Sequence, residues 1–139
     1  MFFVKFFVVV VTKILDTKYI KNHKGHDENE NVIKINARKM IYITQLIYIK
    51  DGREKTFHEF EDVAIPIIAK YNGRLLLRVR PQKDGFIENS IDKPYEIHLV
   101  EFDSEQDFKN FMLDEERKKF LHLKEQSIES SILYKGEKL

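Results

Sequence analysis

The chain contains no cysteine, which removes disulfide scaffolds, thiolate metal sites and cysteine nucleophiles together. It contains no tryptophan either, so one common ring for stacking on sugars or bases is missing. No G-x-S-x-G, phosphate-loop, dinucleotide-binding or H-E-x-x-H pattern occurs, and several large enzyme classes drop out with them. Nor is there a long hydrophobic run. The stretch MFFVKFFVVVVTKIL at residues 1–15 is broken by Lys5 and falls short of the ~20 apolar residues that span a bilayer. It lacks both a basic region before it and a small-residue cleavage site after it, as a secretory signal would need.

Strong charge of one sign is also missing, although the net +1 hides an asymmetry. Residues 1–39 carry eight Lys/Arg against four Asp/Glu, while residues 40–139 carry sixteen against nineteen. A mildly acidic body is poorly suited to neutralising phosphates, so nucleic acid is not an expected partner. Membrane association is not expected either, and the cysteine-free composition fits a cytoplasmic protein.

The first 39 residues look foreign to the rest. In one reading Met40 is the natural start, and the upstream segment, rich in Phe, Lys, Asn and Ile, is translated AT-rich DNA. In another, residues 1–39 are a disordered extension with an apolar tip. A membrane or partner anchor comes last. His23, His26, Asp27 and Glu28 could catch a stray metal ion, but without further groups to orient the imidazoles this is adventitious. No metal site is expected.

From Met40 onward the pattern is clean. MIYITQLIYI (40–49) alternates β-branched and aromatic residues and reads as a strand, with KDG (50–52) as the turn after it. Phe57, Phe60, Ala64, Ile67, Ile68 and Tyr71 fall on one face of a helix over about 53–72. Pro66 lies off that face and predicts a kink, and Gly73 is placed to stop the helix. Residues 73–81 form a second strand, 82–93 a loop and 95–102 a third strand. Ser104 caps the next helix, with Asp107 three residues on, and Phe108, Phe111 and Met112 form its inner stripe. A bent helical stretch over 115–128 and a short strand at 131–135 complete the chain.

Strand–helix–strand twice predicts an α+β ferredoxin-like βαββαβ domain over residues 40–139, with a four-stranded antiparallel sheet covered on one face. Ile41, Ile43, Ile47, Ile49, Leu75, Leu77, Val79, Ile97 and Leu99 are assigned to the helices. The other face would then carry Tyr42, Thr44, Leu46, Tyr48, Arg74, Leu76, Arg78, Glu96, His98, Val100 and Phe102. So contiguous an apolar patch rarely faces water. A two-fold contact between two such sheets would bury it, making the protein a homodimer.

AKYNGRLLLRVRP, followed by YEIHLVEFDSEQDFKNFMLDEERKKFLHL and a closing strand ending at Gly136, resembles the dimeric α/β-barrel (ferredoxin-like) superfamily. The likeness is to a small bacterial branch related in fold to antibiotic-biosynthesis-type monooxygenases and muconolactone isomerases. It covers residues 40–139, and its elements are Tyr71-Asn72-Gly73, Arg78, and Glu101-Phe102 followed by Ser104. It implies two sheets packed as a dimeric α/β barrel. Isomerase, lyase or cofactor-independent monooxygenase chemistry on a small organic substrate becomes an expectation. The alternative is a non-catalytic dimeric stress-response or accessory module.

The favoured constellation is Arg78, His98 and Glu96, with Tyr42 and Thr44 opposite, lining a cavity between the two sheets. Arg78 would clamp a carboxylate or enolate, and His98 would move a proton near neutral pH. The plainer alternative pairs Arg78 with Glu96 and makes His98 a hydrogen-bonded wall residue. His58 reads as part of a solvated acidic face with Glu59, Glu61 and Asp62. His122 reads as a partly buried helix residue, and EERKK (115–119) as a charged helix face. No cofactor is expected; a haem would need His98 or His122 as its axial ligand.

Overall fold

Residues 39–139 are described by the structure, a computed structural model. The apolar tip at 1–15, the His23–Glu28 cluster and the readings of the extension that contains them lie outside the described residues. Alternating β-branched and aromatic residues make Ile41–Ile49 strand β1, and Gly52 turns the chain with φ 75°. Helix α1, Glu54–Ile68, buries Phe57, Phe60, Ala64, Ile67 and Ile68 as its periodicity predicts. It buries Glu61 with them, only 6% exposed, so this acid does not belong to a solvated face.

Pro66 is exposed, and its missing N–H costs one hydrogen bond to the preceding turn. Helical structure nevertheless runs on to Ile68 and tightens into a 3-10 turn at Ala69–Tyr71. The left-handed residue is Asn72, with φ 54°, where the sequence suggested Gly73. Gly73 serves close packing instead. A Cβ there would lie 2.6 Å from both the Phe102 ring and Ile68 Cγ2, which overpacks the core.

Strand β2 spans Gly73–Val79 and β3 spans Glu96–Phe102. Helix α2, Glu105–Met112, is capped by Ser104, whose Oγ accepts from Asp107 N at 3.1 Å and donates to its carboxylate at 2.8 Å. The bent helix expected over 115–128 is two helices, α3 (Glu115–Lys119) and α4 (Leu121–Ser127), separated at Phe120. Strand β4 is longer than its sequence suggests, Ile128–Gly136. The sheet is antiparallel throughout, in the order β2-β3-β1-β4. This is the ferredoxin-like α+β fold.

Two faces were misassigned from the sequence. In β3, Phe102 pairs with Ile41, Val100 with Ile43, His98 with Gln45 and Glu96 with Ile47. Those four therefore share the helix-covered face, and Ile97 and Leu99 lie on the bare one. The covering helices explain the choice. Val100 and Phe102 close a cluster with Ile41, Ile43 and Ile68, against which Phe108 and Phe111 pack. In β2, an irregularity at Leu76 shifts the register between Leu75 and Leu77, and an extra residue reverses every side chain beyond it. Leu75 stays inside, Leu77 and Val79 turn to the bare face, and Arg78 turns in.

Candidate functional site

That reversal brings Arg78 beside Glu96 beneath α1. Its Nε donates to Glu96 Oε2 at 2.8 Å and its Nη2 to Oε1 at 3.1 Å, a bidentate fork. Arg80 Nη2 donates to the same Oε1 at 2.6 Å. Burial opposes ionisation of Glu96, but the hydrogen bonds from Arg78, His98 and Arg80 bring its pKa down to about 2. Glu96 is therefore a fixed buried anion.

His98 Nε2 lies 2.7 Å from Glu96 Oε2. An ionised carboxylate can only accept, so Nε2 carries the hydrogen and donates. Nδ1 of the neutral ring is then the basic nitrogen, and it faces Glu61 Oε2 at 4.0 Å. Burial holds His98 below the usual histidine pKa, against the pull of Glu96. Glu61 behaves oppositely to Glu96. Burial pushes its pKa up to about 7, with Arg78 working against this and Glu96 adding to it. Glu61, His98 and Glu96 thus form a line of an acid near neutrality, a neutral imidazole and an anion. Such contrasting environments separate acid from base roles.

The line ends on a cavity of about 140 Å³ between the sheet and the helices. Its walls are mostly apolar, with Ile43, Phe60, Ile68, Phe102 and Phe111 among them, and its polar members are Gln45, Glu61, His98, Arg117, Lys124 and Ser131. Lys124 is brought down to about 8, chiefly by burial and then by Arg117. Arg117 is 5% exposed, so the EERKK helix is not simply a charged face.

Arg78, His98 and Glu96 are therefore brought together, as the sequence suggested, but under the helices. Tyr42 and Thr44 pair with Glu101 and Leu99 on the bare face, so they do not join the constellation. On that face Arg74 pairs with Glu101. His58 is half-buried: its Nε2 accepts from Arg80 at 2.8 Å and lies 3.0 Å from Tyr95 Oη. His122 is exposed. A haem does not fit these residues. The cavity that His98 lines is ring-sized, and His122 is not among the residues that line it. Among the described residues no cluster of three or more His, Cys, Asp or Glu could hold a metal ion, and no helix is long and apolar enough to cross a membrane.

Sequence reasoning missed Glu61, Arg117 and Lys124. Glu61 had a signal, since it falls four residues after Phe57 and seven before Ile68, on the inner stripe of α1. Arg117 had a weaker one, an Asp three residues before it at a helix start.

No family model matches the chain, and no curated protein matches it. Solved structures do match in fold. The protein of unknown function RPA0582 from Rhodopseudomonas palustris has a TM-score of 0.63 at 12% identity, covering 84% of this chain and 98% of its own. A dimeric protein of unknown function with a ferredoxin-like fold, from Bacteroides fragilis, has a TM-score of 0.54 at 18% identity, covering 71% and 96%. A DABB-family protein with a ferredoxin-like fold, from Mesorhizobium loti, has a TM-score of 0.54 at 15% identity, covering 72% and 97%. At these identities the likeness is one of fold.

Proposed function

We propose that this chain is a homodimeric small-molecule enzyme of the proton-transfer kind, with its ligand in the sheet–helix cavity of each protomer. The observation that supports the chemistry is the Glu96–His98–Glu61 line, of which His98 and Glu61 lie on the cavity wall. Glu96 fixes the imidazole and favours the imidazolium that forms when His98 takes a proton. Nδ1 removes that proton from a carbon of the ligand, whose electron pair delocalises onto an acceptor oxygen of the ligand. Glu61, protonated about half the time near pH 7, returns a proton at the same or another carbon. Isomerisation and elimination both begin this way, and so does oxygenation through a carbanion.

Dimerisation is supported by the bare face, where Leu77, Val79 and Tyr134 are 46%, 36% and 44% exposed, and by the dimeric relative in fold. Each such side chain is worth roughly 1.5–3 kcal/mol at full burial, against about 4–15 kcal/mol for association. Already half-buried, these three side chains on two copies recover about 5 kcal/mol, which meets the low end of that cost.

The test is carbon-bound proton exchange in D₂O, followed by NMR on a set of single-ring ketones, enones and lactones. The wild type should exchange at least one of them, and His98→Gln should slow that exchange by ~10²–10⁴-fold. Exchange that survives the substitution, or no exchange with the wild type, overturns the proton-transfer reading and leaves a non-catalytic dimeric module.

A further inference from the structure

Among the described residues Arg117 is the one guanidinium of the cavity wall, and its position is costly. It is 5% exposed, and burial lowers its pKa. Its charge is met by the carboxylates of Glu61 and Asp114, which work against that lowering, and by two rings, with the guanidinium carbon 5.9 Å from the Phe60 centroid and 5.1 Å from that of Phe111. Nη1 donates to the Met112 carbonyl at 3.2 Å, but the buried Nε has no hydrogen-bond partner among the described residues. Asp114, three residues before, does not supply one. Its carboxylate accepts from the Arg117 backbone N and from Tyr71 Oη, and meets Lys70. An open donor on a buried guanidinium costs stability unless something else occupies it.

Arg78 and Arg80 cannot take a ligand's anionic group in the same way, because both are already spent on Glu96. Lys124 adds a second cationic side chain to the wall that Arg117 lines, beside largely apolar surroundings. The cavity volume, about 140 Å³, is close to the ~150 Å³ that accommodates benzene in an apolar protein cavity.

We propose that the ligand of this cavity is a single-ring carboxylic acid, its carboxylate held by Arg117 and its ring against the apolar wall. This rests on the reading of the cavity as the ligand site. A carboxylate completes the hydrogen bonding of Arg117 and neutralises a buried cation. The aromatic and aliphatic wall then takes the ring, while His98 faces the same enclosed space.

Benzoate and its neutral near-isostere benzamide are the probes, titrated into the full-length protein by calorimetry. Both titrations are repeated by NMR on the Arg117 Nε–H signal. Benzoate should bind at least about tenfold more tightly than benzamide and shift the Nε–H signal downfield, an effect benzamide does not reproduce. In Arg117→Gln the preference should vanish; the signal in the wild type decides the matter should that variant not fold. Equal binding of the two probes, binding of neither, or benzoate binding that leaves the Arg117 signal unmoved would each overturn the proposal. Benzoate bound at Arg117 in a protein that exchanges no carbon-bound proton upholds the carboxylate site and removes only the proton-transfer chemistry.

Discussion

Each face of the sheet carries some residues outside their usual place. The covered face holds Glu96, His98 and Arg78 beneath Glu61, all in or beside the core. The bare face carries Leu77, Val79, Ile97, Leu99 and Tyr134, with the Arg74–Glu101 pair at one end. Buried ion pairs are a poor way to stabilise a fold, since an apolar replacement often does as well. Aliphatic side chains left outside are equally poor for a monomer. The proposed ligand site accounts for the charges inside, and the proposed partner sheet for the oils outside.

The sharpest contrast is between the two arginines. Arg78→Met leaves Glu96 short of its fork in the interior and should cost about 3–5 kcal/mol in chemical denaturation. Arg74 is mostly exposed but its partner Glu101 is buried, so Arg74→Met should cost less than Arg78→Met, about 1–3 kcal/mol. Equal losses would break the distinction between the faces.

Next comes the pH dependence. Glu61 has a pKa of about 7 in the folded protein against an ordinary 4.5. Between those values the unfolded chain ionises while the folded one keeps its proton. Stability therefore falls as pH rises from 4.5 to 7, by about 3 kcal/mol from this group. Glu96 has the opposite sign: its contribution is present above 4.5 and lost as pH falls toward 2. Denaturation of wild type and Glu61→Gln across pH 4–8 should show the slope in their difference. A flat difference would mean that Glu61 reaches water.

The smallest effect on the single chain is expected from the bare face. Leu99→Glu should raise the dimer dissociation constant by about 100-fold or more, roughly 2.7 kcal/mol, while the circular dichroism spectrum stays unchanged. Sedimentation equilibrium reads the first quantity. Unchanged association would show that this face is not the dimer contact.

The order of elements was legible in the sequence because it rests on local periodicity: the stripe from Phe57 to Ile68, the Ser104 cap and the alternation of β1 each carry their own signal. Arg78, Glu96 and His98 could be grouped for the same reason, as same-parity residues on neighbouring strands. Their face could not. In EIHLVEF both parities contain large apolar residues, so hydrophobicity alone leaves the orientation of β3 undecided; pairing with β1 and packing under Phe108 and Phe111 decide it. In LLL of β2 three identical side chains conceal the irregularity at Leu76, which only the ladder to β3 reveals. Local sequence thus determined which elements form. The tertiary structure decided which side of the sheet faces the helices, because register is a property of paired strands and a shift of one residue turns every side chain over.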